Sequence, residues 1–376
     1  MALSIREETG KRSVVMEYRV LGRTGMRVSV LGLGTGQFGA FGQTTLADCE
    51  RVAHRAFDGG VNLVDTADFY SLGECEEIVG QIIADRRDRL VLATKCGFAV
   101  SDEVNERGGS RAWIMKAVDR SLRRLRTDYI DLYQLHAPDY DTDVAETLEA
   151  MNDLLRAGKI RAFGLSNTPG QRFTEAALCA QVRGLNAPHS EQQSYSLFIR
   201  GPERELLPAC LRYGAGVLAY SPLDGGWLSG KYRHGRESQR SFRQRLQPAK
   251  YDLETDLSQR KLDVLDALAE IAAEAGHDLA HMAMAFVLAH PAVTTALFGG
   301  SKTEYVDHYL AGADLRLSDE VLDRIDAVMA PGSSLQLGDG TVTPVPDSAM
   351  RRRHGGPKAL APSGTDYIRK VISQPA

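Results

Sequence analysis

Four ionisable side chains, Asp65, Tyr70, Lys95 and His136, lie at or just after the ends of apolar, strand-like runs. A lysine withdrawn from water needs an anion, and Asp65 can supply one to Lys95. A cation beside the phenol favours the phenolate and lowers the pKa of Tyr70 from about 10 toward the working pH, which suits a general acid. His136 can donate a hydrogen bond to a substrate oxygen. The set predicts protonation of a carbonyl oxygen, with hydride delivered by another group.

Each of these residue types has an ordinary structural explanation when it occurs alone. A lone Asp or Lys at a strand end is usually a solvated charge, a lone His is usually a satisfied structural residue, and a loop Tyr usually packs. Catalysis is favoured only if the elements around the four residues bring them to one place.

Eight apolar, β-branched runs alternate with segments of helical periodicity. Such alternation indicates parallel strands buried on both faces. Eight units predict an α/β fold, the (β/α)₈ or TIM barrel, in which catalytic groups gather at the C-terminal ends of the strands. The sixth run is polar for a buried strand, so an open, doubly wound sheet remains the alternative fold. The predicted strands are 28–34, 61–66, 90–94, 130–135, 160–165, 192–197, 217–220 and 293–298. The predicted helices are 46–58, 76–85, 111–125, 144–156, 173–182, 203–213, 260–275, 280–289 and 304–311.

Other elements are predicted outside the repeat. Two β-prone pieces around Gly-Arg-Thr-Gly at 22–25 indicate an N-terminal β-hairpin. Segment 227–253, a long Gly- and Arg-rich loop after the seventh strand with little apolar content, predicts a functional flap. The predicted domains are a flexible extension at 1–15, the barrel at 16–330 with an extra helix at 317–329, and a C-terminal tail at 331–376.

One glycine motif suggests a different fold. Residues 34–39 read Gly-x-Gly-x-x-Gly after a predicted strand, as in a dinucleotide-binding turn. That geometry requires a helix to open within the motif, so that its N-terminus meets the phosphates. Here the helix begins only near Thr44. A Gly-rich loop on the barrel rim is the better interpretation.

The composition excludes several classes of protein. The chain has 376 residues with 45 Lys and Arg against 49 Asp and Glu, so it lacks the strongly basic surface of a dedicated nucleic-acid binder. No run approaches about 18 apolar residues and the N-terminus mixes acids and bases, so we expect no membrane span, no signal peptide and a cytoplasmic location. The five cysteines are scattered without metal-ligand spacing, which predicts reduced thiols and no structural zinc site.

Nine short motifs follow one another between about Glu17 and Met329. They are Leu-Gly-Arg-Thr-Gly at 21–25, Val-Asp-Thr-Ala-x-x-Tyr at 64–70, Ala-Thr-Lys at 93–95, Asp-Leu-Tyr-Gln-Leu-His at 131–136, Gly-Lys-Ile-Arg at 158–161, Gly-Leu-Ser-Asn at 164–167, Gln-x-x-Tyr-Ser-Leu at 192–197, Tyr-Ser-Pro-Leu at 220–223 and Gly-x-Leu-x-Gly-Lys at 226–231. In these motifs and in their order the chain resembles the aldo-keto reductases, NAD(P)H-dependent enzymes built on a (β/α)₈ barrel. The branch it resembles is the bacterial one near the potassium-channel β subunits and the nucleotide-deoxysugar reductases.

The resemblance implies roles for particular residues. It makes Asp65, Tyr70, Lys95 and His136 the catalytic tetrad, with Tyr70 as the proton donor. It further implies that Ser166, Asn167 and Gln192 bind the nicotinamide carboxamide and that the ring of Tyr220 stacks on the nicotinamide. The pyrophosphate would be held by the loop after the seventh strand, through Ser221, Leu223, Gly225 and Lys231.

The end of the chain that would hold adenosine departs from the family pattern. A basic or Gln residue and a Glu-Asn pair are usual there, and the matching positions are Tyr305, His308 and Tyr309. The segment Gly300, Ser301 and Lys302 remains suited to a 2′-phosphate, and Arg243 or Arg245 in the flap could reach it. NADP(H) is therefore favoured over NAD(H). Ser71 is a smaller departure, at a position where Gly is usual, and should alter the loop rather than the chemistry.

The resulting functional prediction is an NADP-dependent reductase of a small-molecule aldehyde or ketone. Its substrate could be a sugar or a secondary-metabolite carbonyl. The alternatives are a cofactor-sensing regulatory subunit and an NAD-dependent sugar dehydrogenase. Rim loops 38–43 and 98–109 and the tail would select the substrate, and their sequences have no readable code. The sequence is compatible with a homo-oligomer but does not determine the oligomeric state.

Overall fold

The computed structural model describes residues 15–233, residue 244 and residues 248–336. Eight parallel strands close into a barrel, in the order β10-β3-β4-β5-β6-β7-β8-β9, which confirms the predicted fold and excludes the open sheet. The short strands β1 (Tyr18–Val20) and β2 (Arg27–Ser29) form the predicted antiparallel hairpin. The barrel strands are β3 (Leu31–Gly34), β4 (Leu63–Asp65), β5 (Val91–Cys96), β6 (Ile130–Leu135), β7 (Ile160–Ser166), β8 (Ser190–Ser194), β9 (Gly216–Tyr220) and β10 (Val293–Phe298).

Helices surround the strands. Those in the described part of the chain are α1 (Leu46–Asp58), α2 (Glu74–Ile82), α3 (Arg111–Leu125), α4 (Val144–Arg156), α5 (Gly170–Arg183), α6 (Leu206–Tyr213), α7 (Asp256–Glu274), α8 (Leu279–Ala289), α9 (Thr303–Ala311) and α10 (Asp319–Val328). Short 3₁₀ segments occur at Gly39–Phe41, Tyr70–Gly73, Arg87–Arg89, Gly201–Arg204, Asp224–Ser229 and Pro248–Tyr251. Within the described residues, none of the helices is long and apolar enough to cross a membrane.

The alternation of side chains along each strand divides the core into two layers. One cluster lines the barrel interior and includes Leu63, Ala93, Leu132 and Leu218, with Leu21 from the hairpin region packed against it. The larger cluster lies between the strands and the helices. Because inward and outward positions alternate, polar residues that follow an inward apolar residue by two positions also face the interior.

Two sequence expectations need correction. The sixth barrel strand is Ser190–Ser194 rather than 192–197, because the chain turns after it and Ser196 pairs with Ile199 in an isolated antiparallel bridge. Segment 227–253 was expected to have few apolar side chains that hold it down, but its described residues include buried aromatic ones. Trp227 and Tyr251 are buried, and their rings stack with centroids 6.1 Å apart. The ends of this segment are therefore fixed by aromatic packing.

Candidate active site

Lys95 is fully buried near the end of β5 and faces Asp65 at the end of β4. Its Nζ lies 2.7 Å from Asp65 Oδ2 and donates a second hydrogen bond of 2.7 Å to the backbone carbonyl of Thr66. Burial by itself lowers the pKa of Lys95, but the charge and hydrogen bond of Asp65, together with the neighbouring Tyr70, outweigh burial, and the pKa is raised. The ammonium group therefore stays charged.

The second carboxylate oxygen of Asp65 is held by side-chain amides. Gln192 Nε2 donates to Asp65 Oδ1 at 2.8 Å, and Gln134 Nε2 lies 3.4 Å from the same oxygen. Gln192, which the sequence predicts at the nicotinamide carboxamide, thus orients Asp65. Gln134 was absent from the sequence prediction. Its position was nevertheless readable, since it lies two residues after the inward-facing Leu132 on β6.

Tyr70 begins the 3₁₀ segment after β4, and its ring lies beside the ammonium group of Lys95. Lys95 Nζ lies 5.1 Å from the centroid of the Tyr70 ring. Burial raises the pKa of the Tyr70 hydroxyl, and the positive charge of Lys95 opposes this increase only in part. The expectation of a lowered pKa is therefore wrong for this structure. The hydroxyl remains protonated near neutral pH, which is the state that a proton donor requires.

His136 directly follows β6 and lies among aromatic rings. Its ring centroid is 5.7 Å from that of Tyr70, 4.3 Å from that of Phe98 and 6.3 Å from that of Phe69. Burial, followed by the charge of Lys95, holds the pKa of His136 well below its usual range. His136 is consequently a neutral imidazole, which carries one N–H donor. Among the described residues its Nδ1 has no hydrogen-bond partner.

The three polar groups expected at the carboxamide lie on the neighbouring strands β7 and β8. Asn167, just after β7, has a left-handed backbone with φ of 58°. Its Nδ2 donates to the carbonyl of His136 at 2.9 Å, and its Oδ1 accepts from the Tyr220 hydroxyl at 2.7 Å. Ser166 Oγ donates to the carbonyl of Gln192 at 3.0 Å. These bonds hold the amide of Asn167 next to the tetrad and link it to Tyr220 at the end of β9.

The loop after β9 carries the residues expected at the pyrophosphate. Ser221 and Gly225 have φ of 52° and 71°, and Leu223 between them is buried. The side chain of Lys231 lies 4.9 Å from the ring centroid of Tyr232. The positive φ values turn the loop sharply after β9, and the side chain of Lys231 folds back to Gly226, where a Cβ would lie 3.1 Å from its Nζ.

A buried ion pair supports this loop and was missed from the sequence. Asp224, with φ of 44°, accepts a 2.8 Å hydrogen bond from Lys261 Nζ on α7. The pair is almost completely inaccessible, with side-chain exposures of 1% for Lys261 and 0% for Asp224. The residues are 37 positions apart, and no local pattern marks them as partners.

The residues expected at the adenosine end are spread over different surroundings. Ser301 and Lys302 are exposed between β10 and α9, and Gly300 precedes them. Tyr305 is half exposed, and the ring of Tyr309 packs on Phe298 with centroids 5.3 Å apart. His308 turns toward α8, with its Nε2 3.3 Å from Asp278 Oδ1. Arg243 and Arg245 lie outside the described residues.

A second polar network lies behind the tetrad and was also missed. Glu76, on α2, is inaccessible to solvent and accepts a 2.6 Å hydrogen bond from Thr94, the outward-facing neighbour of Lys95. Arg124 on α3 pairs with the other carboxylate oxygen of Glu76 at 2.6 Å. This network ties two helices to the strand that carries Lys95.

Ser71 connects the Tyr70 loop to a rim loop. Its backbone is left-handed, with φ of 51°, a conformation that glycine adopts without strain. Its hydroxyl donates to the carbonyl of Phe38 at 3.2 Å and accepts from the backbone of Phe41 at 2.9 Å. The serine therefore adds two contacts to loop 38–43 at a backbone position that usually favours glycine.

Comparison with known proteins gives consistent results. A family model described as the Aldo/keto reductase family matches residues 30–330. Over 328 residues the chain is 35% identical to "Uncharacterized oxidoreductase YrpG" of Bacillus subtilis (strain 168), with 84% of this chain and 97% of that protein covered. It is 36% identical over 321 residues to a "Probable voltage-gated potassium channel subunit beta" of Oryza sativa subsp. japonica, again with 84% and 97% covered. Among solved structures, it is similar to the aldo-keto reductase AKR11C1 from Bacillus halodurans (holo form), with a TM-score of 0.69, 28% identity, and 85% of this chain and 98% of that chain covered.

Proposed function

Because this chain belongs to the aldo/keto reductase family of NAD(P)H-dependent oxidoreductases, we propose that it reduces an aldehyde or ketone to the alcohol, with NADPH as reductant and Tyr70 as proton donor. One observation carries the proposal. The Tyr70 ring lies against the ammonium group of a buried Lys95, with Nζ 5.1 Å from the ring centroid, and Lys95 is itself paired with Asp65 at 2.7 Å. A neutral His136 lies beside the phenol, with the ring centroids 5.7 Å apart.

The residues fit a nicotinamide cofactor. Ser166, Asn167 and Gln192 supply hydroxyl and amide groups at adjacent strand ends, the groups that a carboxamide can bond. Tyr220 is partly exposed, so its ring can offer a face for stacking. When bound, the reduced nicotinamide supplies hydride to the carbonyl carbon.

The chain's own groups then manage the proton and the charge. His136, kept neutral by burial, donates a hydrogen bond to the carbonyl oxygen and orients it. Tyr70 transfers its hydroxyl proton to that oxygen, which leaves the phenolate. Lys95, kept cationic by Asp65, stabilises the negative charge as it develops on Tyr70. Asp65 is in turn oriented by Gln192, so each charge in the site has a partner.

The aromatic rings at the mouth support a substrate class. Phe69 and Phe98 are partly exposed, have ring centroids 5.0 Å apart, and flank His136. Rings at this position favour a carbonyl with an apolar or aromatic substituent over a small hydrated one. Phe98→Ala should therefore raise KM for an aromatic aldehyde more than for a short polar aldehyde.

Tyr70→Phe tests the reaction. The substitution removes the proton donor and keeps the ring, so kcat should fall by at least about 10²-fold while affinity for the cofactor changes little. Tyr129→Phe is the matched control, because Tyr129 precedes β6 and its ring lies between Arg87 and Arg161 at the opposite end of the barrel. An unaltered kcat in Tyr70→Phe would remove the basis of the proposal.

A regulatory subunit is the second candidate, because the relatives include proteins named as probable potassium-channel β subunits. A cofactor sensor would bind NADPH tightly without consuming it on a panel of aldehydes and ketones. Steady NADPH consumption that depends on Tyr70 would favour the reductase.

A further inference from the structure

Two histidines and an aspartate meet on the outside of the barrel, away from the tetrad. Asp278 precedes α8, His281 lies in its first turn, and His308 lies in the last turn of α9. One ligand atom from each residue lies within 4.8 Å of the other two. The distance from His308 Nε2 to Asp278 Oδ1 is 3.3 Å.

Contacts within the protein hold each of the three side chains in place. Asp278 caps α8 and accepts hydrogen bonds from the backbone of Ala280 at 2.9 Å and of His281 at 3.1 Å. His281 Nε2 lies 2.7 Å from the backbone carbonyl of His308. The two imidazole rings have centroids 4.4 Å apart.

Gly312 provides the space in which the His281 ring lies. A Cβ placed on Gly312 would come within 2.5 Å of His281 Cγ and Cδ2. The backbone of Gly312 does not itself require glycine, since its φ is −101°. Residue 312 must therefore lack a side chain to make room for the ring of His281, and not because the turn requires glycine.

We propose that Asp278, His281 and His308 form a binding site for a divalent transition-metal ion, with Zn²⁺ as the best fit. Imidazole nitrogens and a carboxylate oxygen are ligands that Zn²⁺ prefers, and bonds of about 2.0–2.2 Å in a tetrahedral site place ligand atoms roughly 3.4 Å apart. The 3.3 Å between His308 Nε2 and Asp278 Oδ1 already has this value. The ligand atom of His281 lies within 4.8 Å of the other two, so a shift of its ring toward them would complete three protein ligands, with water in the fourth position.

The hydrogen-bonding pattern suits a metal ligand. A ligating histidine usually donates its other ring N–H to a carbonyl or carboxylate, which fixes the ring. If His281 keeps its bond from Nε2 to the His308 carbonyl, Nδ1 is the nitrogen left for the ion. The ion would join α8 to α9, the helices on either side of β10 in the chain.

The site lies beyond the proposed reductase activity, and its test does not depend on that activity. Zn²⁺ is titrated by calorimetry into the full chain, without a histidine tag and in a buffer that does not bind metal. We expect a single site, with its affinity weakened at least about tenfold by His308→Ala and by His281→Ala. The control variant His54→Ala removes a histidine of α1 that lies outside the cluster, and it should bind Zn²⁺ as the parent does.

Two further measurements separate metal binding from folding. Thermal melting without metal shows whether each variant is folded, and added Zn²⁺ should raise the melting temperature of the parent and of His54→Ala only. Gly312→Ala keeps all three ligands but displaces the His281 ring, so it should also weaken binding. Co²⁺ should give the intense visible absorption of a tetrahedral site. Absence of stoichiometric binding, or zinc affinity unchanged in folded His281→Ala and His308→Ala, would overturn the proposal.

Discussion

The buried pair of Lys95 and Asp65 allows stability and catalysis to be separated. Lys95→Met keeps the approximate length of the side chain but leaves Asp65 charged and inaccessible. Among the described residues, only the amides of Gln192 and Gln134 would still donate to it. Removing one partner of a buried ion pair costs about 3–5 kcal/mol, so the free energy of unfolding should fall by this amount. Catalysis should also be lost, because no cation remains beside Tyr70.

The double variant Lys95→Met with Asp65→Asn removes both charges. Its remaining defect is the carbonyl of Thr66, which loses the hydrogen bond from Lys95 Nζ, a cost of about 1–3 kcal/mol for a buried unsatisfied group. The double variant should therefore be more stable than Lys95→Met alone and still be inactive. Recovery of stability without recovery of turnover would assign the loss of activity to the missing charge rather than to misfolding.

Urea unfolding followed by far-UV circular dichroism and by tryptophan fluorescence measures these differences, and coincident transitions with equal m-values justify the comparison. Arg183→Met is the matched control. Its ion pair with Glu149 is about half exposed, 49% for each side chain, and such pairs contribute less than about 1 kcal/mol. The reasoning is refuted if Lys95→Met loses no more stability than this control, or if the double variant is no more stable than the single one.

The remaining predictions concern the cofactor and pH. Lys302 forms no ion pair with any residue in the described part of the chain, so we expect it to bind the 2′-phosphate and NADPH to bind about tenfold tighter than NADH by nicotinamide fluorescence. Lys302→Met should remove most of this difference with NADH affinity as the internal control, and equal affinities in the parent chain would contradict the preference. The lowered pKa of His136 means that the unfolded chain takes up a proton below about pH 6.5 that the folded protein does not, so stability decreases with decreasing pH by up to about 1.4 kcal/mol per unit. Urea midpoints between pH 5 and 8 should show a shallower dependence in His136→Gln, and identical slopes would rule out this contribution.

Much of the fold and the tetrad could be predicted because their signals are local. A strand's two faces alternate residue by residue, so Ala93 and Lys95, or Leu132 and Gln134, share the inward side whatever the partner strands are. Closure into a barrel then brings the C-terminal ends of all the strands to one mouth. The positions of Asp65, Lys95 and His136 at those ends follow from the order of apolar runs alone.

Tertiary structure decided the interactions whose partners are distant in the chain or whose sign depends on burial. Gln192 meets Asp65 across 127 positions, and no sequence period connects them. The pKa of Tyr70 depends on a competition between burial and the charge of Lys95, and only the packed structure shows that burial wins. His281 and His308 likewise belong to separate helices with a strand between them, and their meeting depends on how those helices pack around β10.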